Sequence, residues 1–204
     1  RICDGVLQGT LWLDSRTPDY ELTARLHDLA IAQLLPPPKE LPQRTRPGRL
    51  AGEVWLRGRT GDAASRSGGG TVRVSGVSFL QTPVLSLVFQ QRKNSRASET
   101  VDLADVRFRW EGREIVLERI DIRSRDLRLV GTGRWTPADD RLHMTLWAAD
   151  PELWPRLGML GELLQSAGQD LVQYRVDGTL AAPKVTAEPL HKLSAALRQL
   201  LGEQ

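Results

Sequence analysis

The chain has 204 residues, 40% of them hydrophobic and 26% charged, with a formal net charge of +3. This fits one ordinary domain or a piece of an elongated one, and it argues against a disordered chain, whose apolar content would be lower and net charge higher. The cations are nearly all arginine, with lysine only at Lys39, Lys93, Lys184 and Lys192. They are spread along the chain rather than gathered on one segment, so no nucleic-acid partner is expected.

The lone cysteine, Cys3, excludes an intramolecular disulfide and is expected to act as a small buried apolar residue in the first strand. No stretch of these residues approaches the 18 apolar residues of a membrane-spanning helix, and none reads as a signal peptide. The chain opens at Arg1 inside a strand pattern and is expected to be a fragment of a longer one.

Residues 2–13 read as a first strand, with Leu7, Gly9, Leu11 and Leu13 on one face and Val6, Gln8, Thr10 and Trp12 on the other. Thr17-Pro-Asp19 is a turn, and Tyr20, Leu22, Ala24 and Leu26 alternate with polar residues as a second strand. Asp28–Leu35 reads as a short helix stopped by Pro36, Pro37 and Pro38, and residues 36–49 as a Pro- and Arg-rich loop. Residues 50–58 form a strand with Leu50, Gly52, Val54, Leu56 and Gly58 on one face.

The stretch from Thr60 to Gly70 lacks the Gly-Lys-Ser/Thr ending of a phosphate loop and reads as a flexible hairpin connection. Val72 and Val74 continue as a strand. Thr82–Gln90 is ambiguous between strand and short helix, with Pro83 at a first helical position favouring helix. Residues 91–99 read as a polar loop.

The second half is more regular. Ala104, Val106, Phe108 and Trp110 alternate with Asp105, Arg107 and Arg109, and Glu111-Gly112 turns into a strand over Ile115–Ile122. Asp126-Leu-Arg-Leu-Val-Gly-Thr-Gly-Arg-Trp135 follows, and Thr136–Asp140 turns into a strand with Leu142, Met144 and Leu146 on its apolar face. These make a meander of four antiparallel strands. Asp150-Pro151 opens a helix with an apolar stripe at Leu153, Leu157, Leu160 and Leu164. Val172, Tyr174 and Val176 return to a strand, and Leu190, Leu193, Leu197 and Leu200 mark a closing amphipathic helix over 188–202.

The fold class is therefore mainly β: a curved, elongated antiparallel sheet, apolar on one face, with two or three amphipathic helices, too few to cover that face. No catalytic, metal or cofactor motif stands out. His27, His143 and His191 lie in different elements without ligand spacing. Asp139-Asp140 and the pair Asp121 and Asp126 fall in or beside turns, which leaves an enzyme using the Asp121/Asp126/His143 neighbourhood as a distant reading. The six tryptophans, Trp12, Trp55, Trp110, Trp135, Trp147 and Trp154, fit cross-strand packing first and an amphipathic rim at a lipid groove second.

The order of four stretches resembles the C-terminal region of the AsmA-like family of bacterial envelope proteins. These are Arg49–Gly58 running through Gly61-Asp62 into Gly68-Gly-Gly-Thr-Val-Arg-Val74, then Pro83–Leu87, then Ile120–Gly133, and finally Tyr174–Val185 with Pro189-Leu190. Each stretch is simple β punctuation; their order carries the likeness. The resemblance covers most of residues 50–200 and fits residues 1–45 less well.

It implies a single curved β module of 1–204, periplasmic, and held at the inner membrane by an anchor outside this segment. The implied role is non-enzymatic lipid binding or conduction in intermembrane phospholipid transport or outer-membrane integrity, without cofactor or metal. The partner would be a phospholipid or other acyl lipid, with envelope proteins as further partners. The groove would be lined by Val54, Leu56, Val72, Val74, Val106, Phe108, Leu127, Leu129, Leu142, Met144 and Leu146. The alternative is an envelope scaffold that binds a protein through a sheet edge.

Overall fold

A computed structural model describes residues 3–34, 48–78, 83–90, 100–125, 128–149, 172–180 and 182–189. Ten strands make one antiparallel sheet in strictly sequential order, β1 beside β2 and so on to β10, without closure into a barrel. They are β1 (Val6–Leu13), β2 (Asp19–Ala30), β3 (Arg49–Arg59), β4 (Asp62–Ser78), β5 (Thr100–Glu111), β6 (Glu114–Arg123), β7 (Arg128–Thr136), β8 (Arg141–Ala149), β9 (Val172–Thr179) and β10 (Pro183–Pro189). Two short helical segments accompany them, α1 (Ile31–Leu34) and α2 (Pro83–Gln90). The amphipathic helices expected over 153–164 and 188–202 lie outside the described residues, as do most of the 36–49 loop and the 91–99 loop.

Directly opposed residues in an antiparallel ladder share a face, so the register turns the period-two pattern of each strand into rows across the sheet. One row runs Leu7, Leu26, Gly52, Val72, Val106, Ile120, Gly131, Leu146, Tyr174, Ala187. The next runs Gly9, Ala24, Val54, Gly70, Phe108, Leu117, Gly133, Met144, Val176, Val185, and a third Leu11, Leu22, Leu56, Gly68, Trp110, Ile115, Trp135, Leu142, Gly178, Pro183. None of these positions holds a charge.

Two bulges keep the rows in phase where the sequence breaks alternation. In β6, Leu117 and Ile120 are three apart yet both meet apolar-face partners, because one extra residue enters at Glu118-Arg119. In β2 the shift falls between Leu26 and Leu29, where Asp28 takes a φ of 53°.

Several expectations change. The first strand begins at Val6, and Cys3 is a partly exposed free thiol in a turn ahead of it. Strand β2 continues through Ala30, so helix is confined to Ile31–Leu34. The glycine run is strand, not connection: Gly68 stands between Leu56 and Trp110, and Gly70 between Val54 and Phe108. Glycine suits these places because the neighbours are bulky and the backbones close. A Cβ on Gly70 would lie 2.2 Å from the Glu53 carbonyl oxygen.

The buried core sits in the C-terminal half. Leu85 and Val88 of α2 join Val101, Ile120, Leu129, Leu142, Met144, Leu146, Ala148, Tyr174 and Val176 in one cluster, and no residue of β1–β4 belongs to it. Gly131 sits inside this half, and a Cβ there would fall 2.2 Å from the Thr145 carbonyl oxygen and 2.7 Å from Leu146 Cδ2. Gly131→Val is expected to lose about 1–3 kcal/mol or more through overpacking, read as a lower urea midpoint. An unchanged midpoint would show that the row opens freely.

Candidate functional site

The two halves of the apolar face differ in cover. Over β6–β10 it is packed into the buried cluster that Leu85 and Val88 of α2 join, where Leu129 and Leu146 are each 1% exposed. Over most of β1–β4, among the described residues, burial is partial: Leu22, Val54, Leu56, Val72 and Val74 are half-buried, and Leu11 and Leu13 are about three-fifths exposed, at 59% and 62%. At one end a small plug of Leu29, Ala30 and Val77 is buried beside α1.

The expected groove residues therefore separate. Val54, Leu56, Val72, Val74, Val106 and Phe108 lie on the half-open part of the face, contiguous through the pairs Gly52–Val72, Val72–Val106 and Gly70–Phe108. Leu129, Leu142, Met144 and Leu146 are buried in the core and form its wall. Leu127 lies outside the described residues.

The opposite face is a lattice of cross-strand ion pairs. Arg25 meets Glu53 at 3.1 Å, Arg73 meets Asp105 at 2.8 Å, Arg109 meets Glu118 at 3.0 Å, and Arg175 reaches Glu188 at 3.8 Å. His143 contacts its directly opposed Asp177. Each exposed pair contributes little, about 0–1 kcal/mol, so their main effect is to keep this face wet.

The same face holds a shallow groove of about 830 Å³ over the backbone of Gly68–Gly70, bordered by Gln8, Thr10, Thr23, Thr71, Trp55, Arg107 and Arg109. It forms because Gly69 has no side chain to fill the space beside Trp55. The sequence offers no signal for this groove, because glycines inside a strand read as a turn.

Asp121 is the exception on the wet face. It lies between Ile120 and Ile122, so its carboxylate points away from the core, yet it is 1% exposed. Three guanidinium groups cover it: Arg128 is bidentate at 3.0 and 2.7 Å, Arg123 bidentate at 3.2 and 2.8 Å, and Arg119 donates at 3.1 Å. Burial pushes the carboxyl pKa up, but the bonds from Arg123, Arg128 and Arg119 outweigh it and hold the group well below the usual carboxylate range.

Asp121 and His143 are not brought together. His143 lies in the row of Arg134 and Asp177, whereas Asp121 lies in the row of Val130 and Trp147. His143 and Trp147 are four residues apart on β8, which puts the rows about 13 Å apart. Asp126 lies outside the described residues. Asp139 pairs with Arg141, and Asp140 accepts the Trp135 indole N–H at 3.0 Å. Among the described residues no group of three or more His, Cys, Asp or Glu could hold a metal.

The tryptophans divide by face. Trp110 and Trp135 stand on the apolar rows and tie their indole N–H groups to hairpin turns, at Gly112 and Asp140. Trp12 and Trp55 stand on the wet face, 55% and 44% exposed, with the Arg57 guanidinium 5.9 Å from the Trp55 ring. Trp147 is half-buried there, and Trp154 lies outside the described residues.

Asp121→Asn is expected to cost roughly 2–4 kcal/mol, less than for a pair buried on both sides because Arg119 and Arg123 remain half in solvent. Because the folded-state pKa is depressed, the stabilisation from Asp121 is fully present above the unfolded carboxylate range and is lost progressively as pH falls below that range toward the depressed folded-state value. Urea titrations from neutral pH down to about pH 2 should therefore show a shallower acid loss in the variant; parallel curves would refute this role. No protein-family model matches the chain, and neither a curated protein nor a solved structure matches it.

Proposed function

We propose that this module holds the acyl chains of a lipid along the half-open part of its apolar face, as part of an AsmA-like protein of the bacterial envelope. One observation carries the reading: three uncharged rows run across all ten strands, and among the described residues the large buried cluster takes in only the half beyond β4. A sheet whose apolar face served only as a core would be covered along its length.

The half-open ladder across β1–β5 is about 19 Å wide, from the usual strand spacing. Each methylene laid on it gains about 0.8 kcal/mol on leaving water. The order of the glycine-marked strands supports the envelope setting, with a membrane anchor outside this segment. The buried half gives the face a rigid wall, and the ion-paired face keeps the outer side in water.

Substitutions test the division between track and wall. Leu56→Asp and Phe108→Asp place a charge on half-open positions. They are expected to lower co-purified phospholipid severalfold in native mass spectrometry while leaving circular dichroism unchanged. Leu129→Asp, at a fully buried position, is expected to unfold the chain. Absence of bound phospholipid in the wild type, together with no lipid transfer by the longer protein in a reconstituted assay, overturns the proposal.

A further inference from the structure

Among the described strands, the two at the ends of the sheet are built differently. Strand β10 begins and ends in proline, at Pro183 and Pro189, carries Lys184 and Glu188 between them, and lies beside α2. These are the devices by which an edge resists pairing. Strand β1 has none of them. Its sequence, VLQGTLWL, is the only one among the described strands without a charged residue, and all its residues are exposed.

From this contrast we propose that β1 is an assembly edge that pairs with β1 of a second copy, antiparallel, across a two-fold axis normal to the sheet. The chemistry selects a second copy because β1 itself supplies what the edge requires: an extended, uncharged strand with apolar residues at alternate positions. Face matching demands that odd-numbered residues oppose odd-numbered ones. Centring the axis on Thr10 sets Leu7 against Leu13 of the other copy and Gly9 against Leu11, a large–small match like those inside the sheet. It also covers Leu13, the most exposed of these side chains at 62%. Two sheets then become one, with the apolar rows continuous across the seam. This pairing does not depend on the lipid reading.

The test uses the full chain with Cys3→Ser as background. Light scattering after gel filtration should give twice the chain mass, falling to the monomer in Thr10→Lys, with circular dichroism unchanged. Opposed Cα atoms in such a pair lie about 4.5–5.5 Å apart, within disulfide range. Thr10→Cys should therefore cross-link on oxidation. Gln8→Cys, about 13 Å from its own copy, should not. A chain that is monomeric at every concentration, or a dimer that survives Thr10→Lys, overturns the proposal.

Discussion

Everything in this sheet depends on register. Ten strands can share one apolar face only if each pairs in the phase that sets leucine, valine or glycine against its counterparts. A slip of one residue would turn a strand's apolar set into water and its arginines into the core. The bulges at Asp28 and at Glu118-Arg119 absorb an extra residue where the chain would otherwise lose phase. On the far side the ion pairs Arg25–Glu53 and Arg73–Asp105 join directly opposed residues, so a slipped strand would also meet the wrong charges.

Within that register, glycine sets the shape. Gly68 and Gly70 alternate with Leu56, Val54, Trp110 and Phe108 across neighbouring strands, and Gly131 and Gly133 stand beside Leu146 and Met144. Large side chains fill the room their small neighbours leave. The carbonyl oxygens that would strike an added Cβ show how closely the backbones approach there. The same absence of side chains at Gly69 opens the groove on the wet face.

Much of this was legible in the residues. Period-two alternation located the strands, and Glu111-Gly112 and Thr136–Asp140 marked their turns. The break in alternation at Glu118-Arg119 was visible, but only pairing shows it to be a bulge. The glycine run misled because glycine's usual message is a turn, and its use as a small partner depends on bulky residues on the two neighbouring strands. Which leucines line the open face was not legible at all. Leu56 and Leu129 both stand on the apolar face, yet Leu56 is half-buried while Leu129 is fully buried in the cluster that Leu85 and Val88 of α2 join. Asp121 looked like a turn carboxylate; its role depends on Arg128, which arrives from the next strand.

The sequential strand order has a consequence for how the molecule comes together. No strand waits for a distant part of the chain, since each neighbour in space is the neighbour in sequence. Contacts are therefore short in loop length for an all-β protein, the condition that speeds folding by lowering the entropy of closure. The sheet can grow from any hairpin, one seam at a time, as stacked repeats do. Its energetics become nearly one-dimensional: losing a terminal strand removes one seam and leaves the others intact.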